Sequence, residues 1–150
     1  MEILLIDCSC PFCIATHLST SHRCQVQREV QIHLDLQHPN IIQLYAAFED
    51  DECVYMVLEL ASEGDLFDVV KAEVGSKFSE PRTVCEVILP LLGVISFLHK
   101  RGIVHRDIKP ENLLMSSGRV LKLADFGLSI DISEERPVTR VGTLDYMVSP

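Results

Sequence analysis

Residues 105–112 read HRDIKPEN and residues 125–127 read DFG. Short apolar pieces at 103–104, 113–114 and 120–123 predict small strands around these polar motifs. Asp107 precedes Asn112 by five residues. Any one of these side chains alone would be an ordinary loop charge. Two motifs at this separation, joined by short strands, constrain the fold far more than any single residue does.

At 150 residues the chain has the length of one ordinary domain with a real core. Apolar residues make up 47% and mean hydropathy is +0.21, which excludes a disordered tail. The longest apolar run, 87–98, contains Pro90 and Gly93 and falls short of the roughly 20 apolar residues of a spanning helix, so no membrane partner is expected. A net charge of −9 repels phosphate backbones and argues against a nucleic-acid partner. The acidic start lacks the positive flank of a signal peptide, so an intracellular setting, cytoplasmic or nuclear, is expected, with the six cysteines reduced. Cys8, Cys10, Cys13 and Cys24 crowd near His17 and His22, but their spacing fits no familiar zinc finger, and free thiols are the expectation.

Along 25–37, Val26, Val30 and Leu34 recur every four residues and predict a helix with these side chains on one face. Glu29 falls on the same stripe, where a carboxylate either pairs with a cation from elsewhere in the chain or reaches water from the rim. The HPN of 38–40 ends the helix, because proline disfavours helical geometry in the residue before it. Segments 41–48 and 53–60 predict a hairpin across the acidic turn 49–52, followed by a loop at 62–65 and a short helix at 66–72. Ser79 and Pro81 open a long core helix with Val84, Ile88, Leu91, Ile95 and Leu98 inward. Pro90 would bend that helix at a cost of roughly 3 kcal/mol, and Gly102 stops it.

HRDIKPEN followed by DFG resembles the protein kinase family, and KPEN at this place resembles its serine/threonine members. Phosphoryl transfer asks a protein for positioning and charge neutralisation more than for covalent chemistry. The resemblance implies that Asp107 takes or orients the proton of a substrate hydroxyl and that Lys109 contacts the transferred phosphoryl group. It further implies that Asn112 and Asp125 hold Mg²⁺ against the phosphates of ATP. Glu29 matches the glutamate of the family's αC helix. Residues 58–61 fall at the hinge, where the backbone of Glu59 and Ala61 would bind adenine above Leu114. His105 and Phe126 would stack in the core. Arg106 would receive a phosphate carried by Thr139 in the activation segment, residues 125–146. VGTLDYM at 141–147, together with the αC region, is most similar to the Aurora branch.

The family's small lobe opens with a glycine-rich loop and a lysine that pairs with the αC glutamate. Here the first glycine is Gly64 and the first lysine is Lys71, both after Glu29, so Glu29 is expected to lack that partner. Residues 1–24 do not resemble kinase sequence, and the partial kinase domain is expected over 25–150. The chain reads Val148, Ser149, Pro150 where the family continues into Ala-Pro-Glu and a helical subdomain. The expectation is an incomplete α+β, protein kinase-like fold: part of the small lobe with αC, the hinge, and the upper part of the large lobe. That is about half to three-fifths of a domain of roughly 250 residues. The function implied is ATP-dependent phosphorylation of protein serine or threonine. The alternative is a catalytically inactive fragment, a pseudokinase-like binding module.

Overall fold

The computed structural model describes residues 4–5, 13–17, 20–51, 53–73, 75 and 77–134, with side chains from Gln25 onward. Thr139 and the side chains of the cysteine and histidine cluster at 8–24 lie outside the described residues.

The first layer is a four-stranded antiparallel sheet in the order β1-β2-β4-β3, from β1 (Leu4–Leu5), β2 (Cys13–His17), β3 (Leu44–Glu49) and β4 (Cys53–Leu58). The expected hairpin is β3 and β4, and it turns where the acids are. Asp50 closes that turn by accepting from the Cys53 N–H at 2.8 Å and the Tyr55 hydroxyl at 2.8 Å. The two further strands come from the segment set apart in the sequence. β2 pairs along its whole length with β4, from Cys13 opposite Val57 to His17 opposite Cys53.

Helix α1 (Thr20–Leu34) begins five residues before the expected start at 25 and packs beside β3. Its inward face also differs from expectation. Val26 and His33 are buried while Leu34 is 43% exposed. A pure four-residue step drifts round a helix of 3.6 residues per turn, whereas the three- and four-residue steps of 26, 29 and 33 hold one face. Glu29 therefore does turn inward, and the residue one turn on is a histidine.

Below the sheet, α2 (Leu66–Ala72) is capped by Asp65, whose carboxylate accepts from the Asp68 N–H at 2.8 Å. A continuous helical stretch, Glu80–His99, follows as α3 (Glu80–Thr83), a π-helical segment (Val84–Ile88) and α4 (Leu89–His99). Pro90 has no N–H and its ring crowds the carbonyl four residues back. Just before it, the Leu89 N–H bonds the Val84 carbonyl, five residues back. The extra residue in that turn shifts the face. Val87, Val94 and Leu98 are buried with Leu91 packed against them, while Val84 and Ile88 are each 41% exposed, contrary to the expected stripe. By length and composition alone Glu80–His99 could cross a membrane, which the interrupted run 87–98 did not predict; in this fold its Val87, Val94 and Leu98 face the core.

The rest is built of short pieces: β6 (Ile103–Val104) with β9 (Ile130–Asp131), and a three-stranded sheet β5-β7-β8 from β5 (Gly64–Asp65), β7 (Leu113–Ser116) and β8 (Val120–Leu123). The main core lies below the four-stranded sheet, where Leu98, Met115, Leu123 and Phe126 are joined by Leu36 and Ile41 from the segment between α1 and β3. A parallel bridge between Ile41 and Leu123 joins the two layers, with the Ile42 N–H on the Leu123 carbonyl at 2.9 Å.

Candidate active site

The loop 105–112 leaves β6 and enters β7 through one 3₁₀ turn, Pro110–Asn112. Proline at the first position of that turn suits it, because the N–H it lacks has no helical acceptor there. The turn brings Asn112 back onto Asp107. Its Nδ2 donates to the Asp107 carbonyl at 2.9 Å and to Asp107 Oδ2 at 3.1 Å. Lys109 Nζ lies 2.8 Å from the same Oδ2, and that hydrogen bond holds the Lys109 ammonium above its usual pKa. Asp107 is only 7% exposed, so its charge is compensated by a cation and an amide inside the protein.

The second motif is locked to the first through the backbone. The Ala124 N–H donates to the Asn112 carbonyl at 2.9 Å. Asp125 then adopts φ +62°, a left-handed conformation that turns its side chain outward while Phe126 is fully buried. The Gly127 N–H donates to Asp125 Oδ1 at 3.2 Å. A Cβ on Gly127 would stand 3.2 Å from that oxygen and 3.3 Å from Glu29 Oε2, tighter than ordinary contact, so both carboxylates would have to give by a few tenths of an ångström. Gln25 adds a bond from its Nε2 to the Gly127 carbonyl at 3.2 Å.

Phe126 sits between two imidazoles: His105 edge-on at 5.0 Å and His33, from α1, tilted at 4.6 Å. His105 Nε2 bonds the Ala124 carbonyl at 3.1 Å and Nδ1 accepts from the Asp107 N–H at 3.3 Å, which assigns a neutral Nε2–H tautomer. His33 Nε2 bonds the Ile42 carbonyl at 2.7 Å. Burial lowers the pKa of both rings. His33 was not singled out in the sequence; its signal is the one-turn spacing after Glu29.

Among the described residues no lysine or arginine pairs with Glu29. Burial, and then the charge of Asp125, raise its pKa to about 7. Arg106 takes φ +69° and donates from Nε to the Leu128 carbonyl at 2.6 Å. At the segment after β4, the Glu59 N–H donates to the Gln43 carbonyl at 2.8 Å, and the Glu59 carboxylate meets Lys122 Nζ at 2.6 Å and 2.8 Å. Leu114 stands opposite Lys122 in the β7–β8 register. Ala61 follows Glu59 in the same connecting segment, half-buried. Lys122 also escaped the sequence-based expectations, although the alternation of VLKL marks it as facing away from the buried Leu121 and Leu123.

Asp107, Lys109, Asn112 and Asp125 therefore converge on one centre, with Glu29 approaching from α1. Glu59, Ala61 and Leu114 lie at the junction of the two layers.

A model of the protein kinase domain family matches residues 13–150, which includes β2 and so begins inside the segment set apart in the sequence. Over 82% of its length the chain is 40% identical to an Aurora kinase of Schizosaccharomyces pombe, of which it covers 34%. It is 42% identical to an Aurora kinase B of Mus musculus over the same share, covering 35% of that protein. An Aurora kinase of Encephalitozoon cuniculi is 38% identical, with 44% of its length covered. The chain thus spans less than half the length of these curated relatives. With a family match over nearly all of its residues, the chain belongs to the protein kinase domain family.

Proposed function

We propose that the chain carries the phosphotransfer centre of an Aurora-like serine/threonine protein kinase, which moves the γ-phosphoryl group of ATP to a serine or threonine hydroxyl of a protein. The observation that carries this proposal is the buried Asp107 carboxylate held between Lys109 and the Asn112 amide, next to an outward-turned Asp125. In the reaction the substrate hydroxyl oxygen bonds to the γ-phosphorus, the bond to the β-phosphate oxygen breaks, ADP leaves, and Asp107 takes the hydroxyl proton. Lys109, bonded to Asp107, would balance charge on the transferring group.

The donor set suits a hard divalent cation. Asn112 commits its Nδ2 to Asp107, which leaves its Oδ1 for a metal, and Asp125 supplies a carboxylate, the oxygen ligands that Mg²⁺ takes alongside phosphates. When bound, Mg²⁺ neutralises the phosphate oxygens. The Glu59 carbonyl and the Ala61 N–H would bind adenine over Leu114, and Arg106 would pair with a phosphate on Thr139. The setting that follows is intracellular, cytoplasmic or nuclear.

The test is transfer of phosphate from Mg-ATP to a Ser/Thr peptide by the purified chain, with Asp107→Asn as the control. Transfer well above the control supports the proposal. Transfer at the control's level leaves the non-catalytic binding module in its place.

A further inference from the structure

We propose that Lys122 is a positioning residue for the nucleotide site, holding the segment at Glu59 in register with Leu114 and Asp125. The inference rests on the nucleotide-binding role proposed above for that segment.

A lysine on a short surface hairpin ordinarily keeps its ammonium in water. Lys122 is instead only 12% exposed, and its ammonium lies within 2.8 Å of both oxygens of a Glu59 carboxylate that is itself 22% exposed. Ordering and desolvating such a side chain is unfavourable unless the partner geometry compensates. Glu59 is held from other sides as well: Oε2 also accepts from the Gln43 N–H at 3.2 Å, and its own N–H donates to the Gln43 carbonyl.

The placement of this pair gives it a consequence for the site. Residues directly opposite in an antiparallel pair present their side chains to the same face, so Lys122 and Leu114 share one face of the β7–β8 hairpin. Asp125 follows Lys122 by three residues. The far end of the connecting segment is tied to the hairpin by backbone, with the Glu63 N–H on the Met115 carbonyl at 2.9 Å. At its near end backbone bonds reach the hairpin only by way of Gln43 and Ile42, and the direct tie runs through the Glu59 and Lys122 side chains. Without that pair the adenine-binding backbone could shift against the apolar floor and the metal-binding carboxylate.

The experiment measures binding of Mg-ADP and Mg-GDP by calorimetry to the wild-type chain, Lys122→Met and Lys122→Arg, with amide exchange at Glu59. Lys122→Met is expected to bind ADP about 10-fold more weakly with little change for GDP, so that adenine preference falls, and Lys122→Arg restores it. Unchanged ADP affinity, or an equal loss for both nucleotides, overturns the proposal, since a purely structural role weakens both alike. If the wild-type chain binds neither nucleotide, the nucleotide-binding role fails. Exchange then decides the clamp: faster exchange at Glu59 in Lys122→Met supports it, unchanged exchange overturns it. Glu59→Gln repeats the series should Lys122→Met not fold.

Discussion

Two inward carboxylates of this chain lead opposite lives. Asp107, in the loop before β7, is nearly buried yet meets a lysine and an amide. Glu29, on α1, meets another carboxylate across Gly127, and its pKa rises to about 7. A buried charge with partners keeps its ionised form, whereas one without them moves towards its neutral form. The first arrangement sets a carboxylate against an ammonium and an amide. The second makes the α1 side of the site sensitive to pH. Phe126 joins the two sides, touching His105 from one and His33 from the other.

The largest effect should come from breaking the compensated side. Lys109→Met strips Asp107 of its cation, and steady-state phosphotransfer should fall by about 10²-fold or more; a loss below threefold would show that the pair is incidental. Phe126→Ala removes the ring that links the regions from a fully buried site, and urea unfolding should report a loss of about 3–5 kcal/mol.

Glu29→Gln sharpens the comparison more gently. The folded-state pKa of about 7 lies above the ordinary 4.5 of a glutamate, so the folded chain binds the extra proton between these two pH values. Its stabilising contribution is full below pH 4.5 and is lost as pH rises through about 7. The glutamine should thus gain about 3 kcal/mol relative to wild type at pH 8 and nothing near pH 4.5, as read by thermal melts across pH. Equal gains at both pH values would refute an uncompensated Glu29.

The smallest effect runs the other way. His33 has its pKa lowered by burial, so its contribution is present above pH 6.5 and lost as pH falls through the lower folded value. His33→Leu should flatten the acid limb of the melt profile. An acid limb unchanged in that variant would locate the sensitivity elsewhere, with His105 the next group to vary.

Legibility in the sequence followed contact range. HRDIKPEN and DFG were legible because Asp107 and Asn112 meet across a single turn, and short strands return Asp125 to them. The hairpin 44–58 was legible for the same reason. The inward turn of Glu29 was visible in the periodicity, but not that it would face Asp125, which lies in the other layer. The face of Glu80–His99 was misassigned at Val84 and Ile88, because a π-helical turn changes the angle per residue and leaves no separate periodic mark. Strand β2 was missed because its partner β4 lies some 40 residues on, and strand pairing is decided by the partner more than by the strand.

By itself the sequence determined the family chemistry and the local shape of the loop that would perform it, since those depend on side chains a few positions apart. The tertiary structure alone decided which charges are compensated: Lys122 with Glu59 across 63 residues, and Glu29 with no cation among the described residues. Whether a carboxylate is paired depends on what packs against it, and packing is a property of the folded chain.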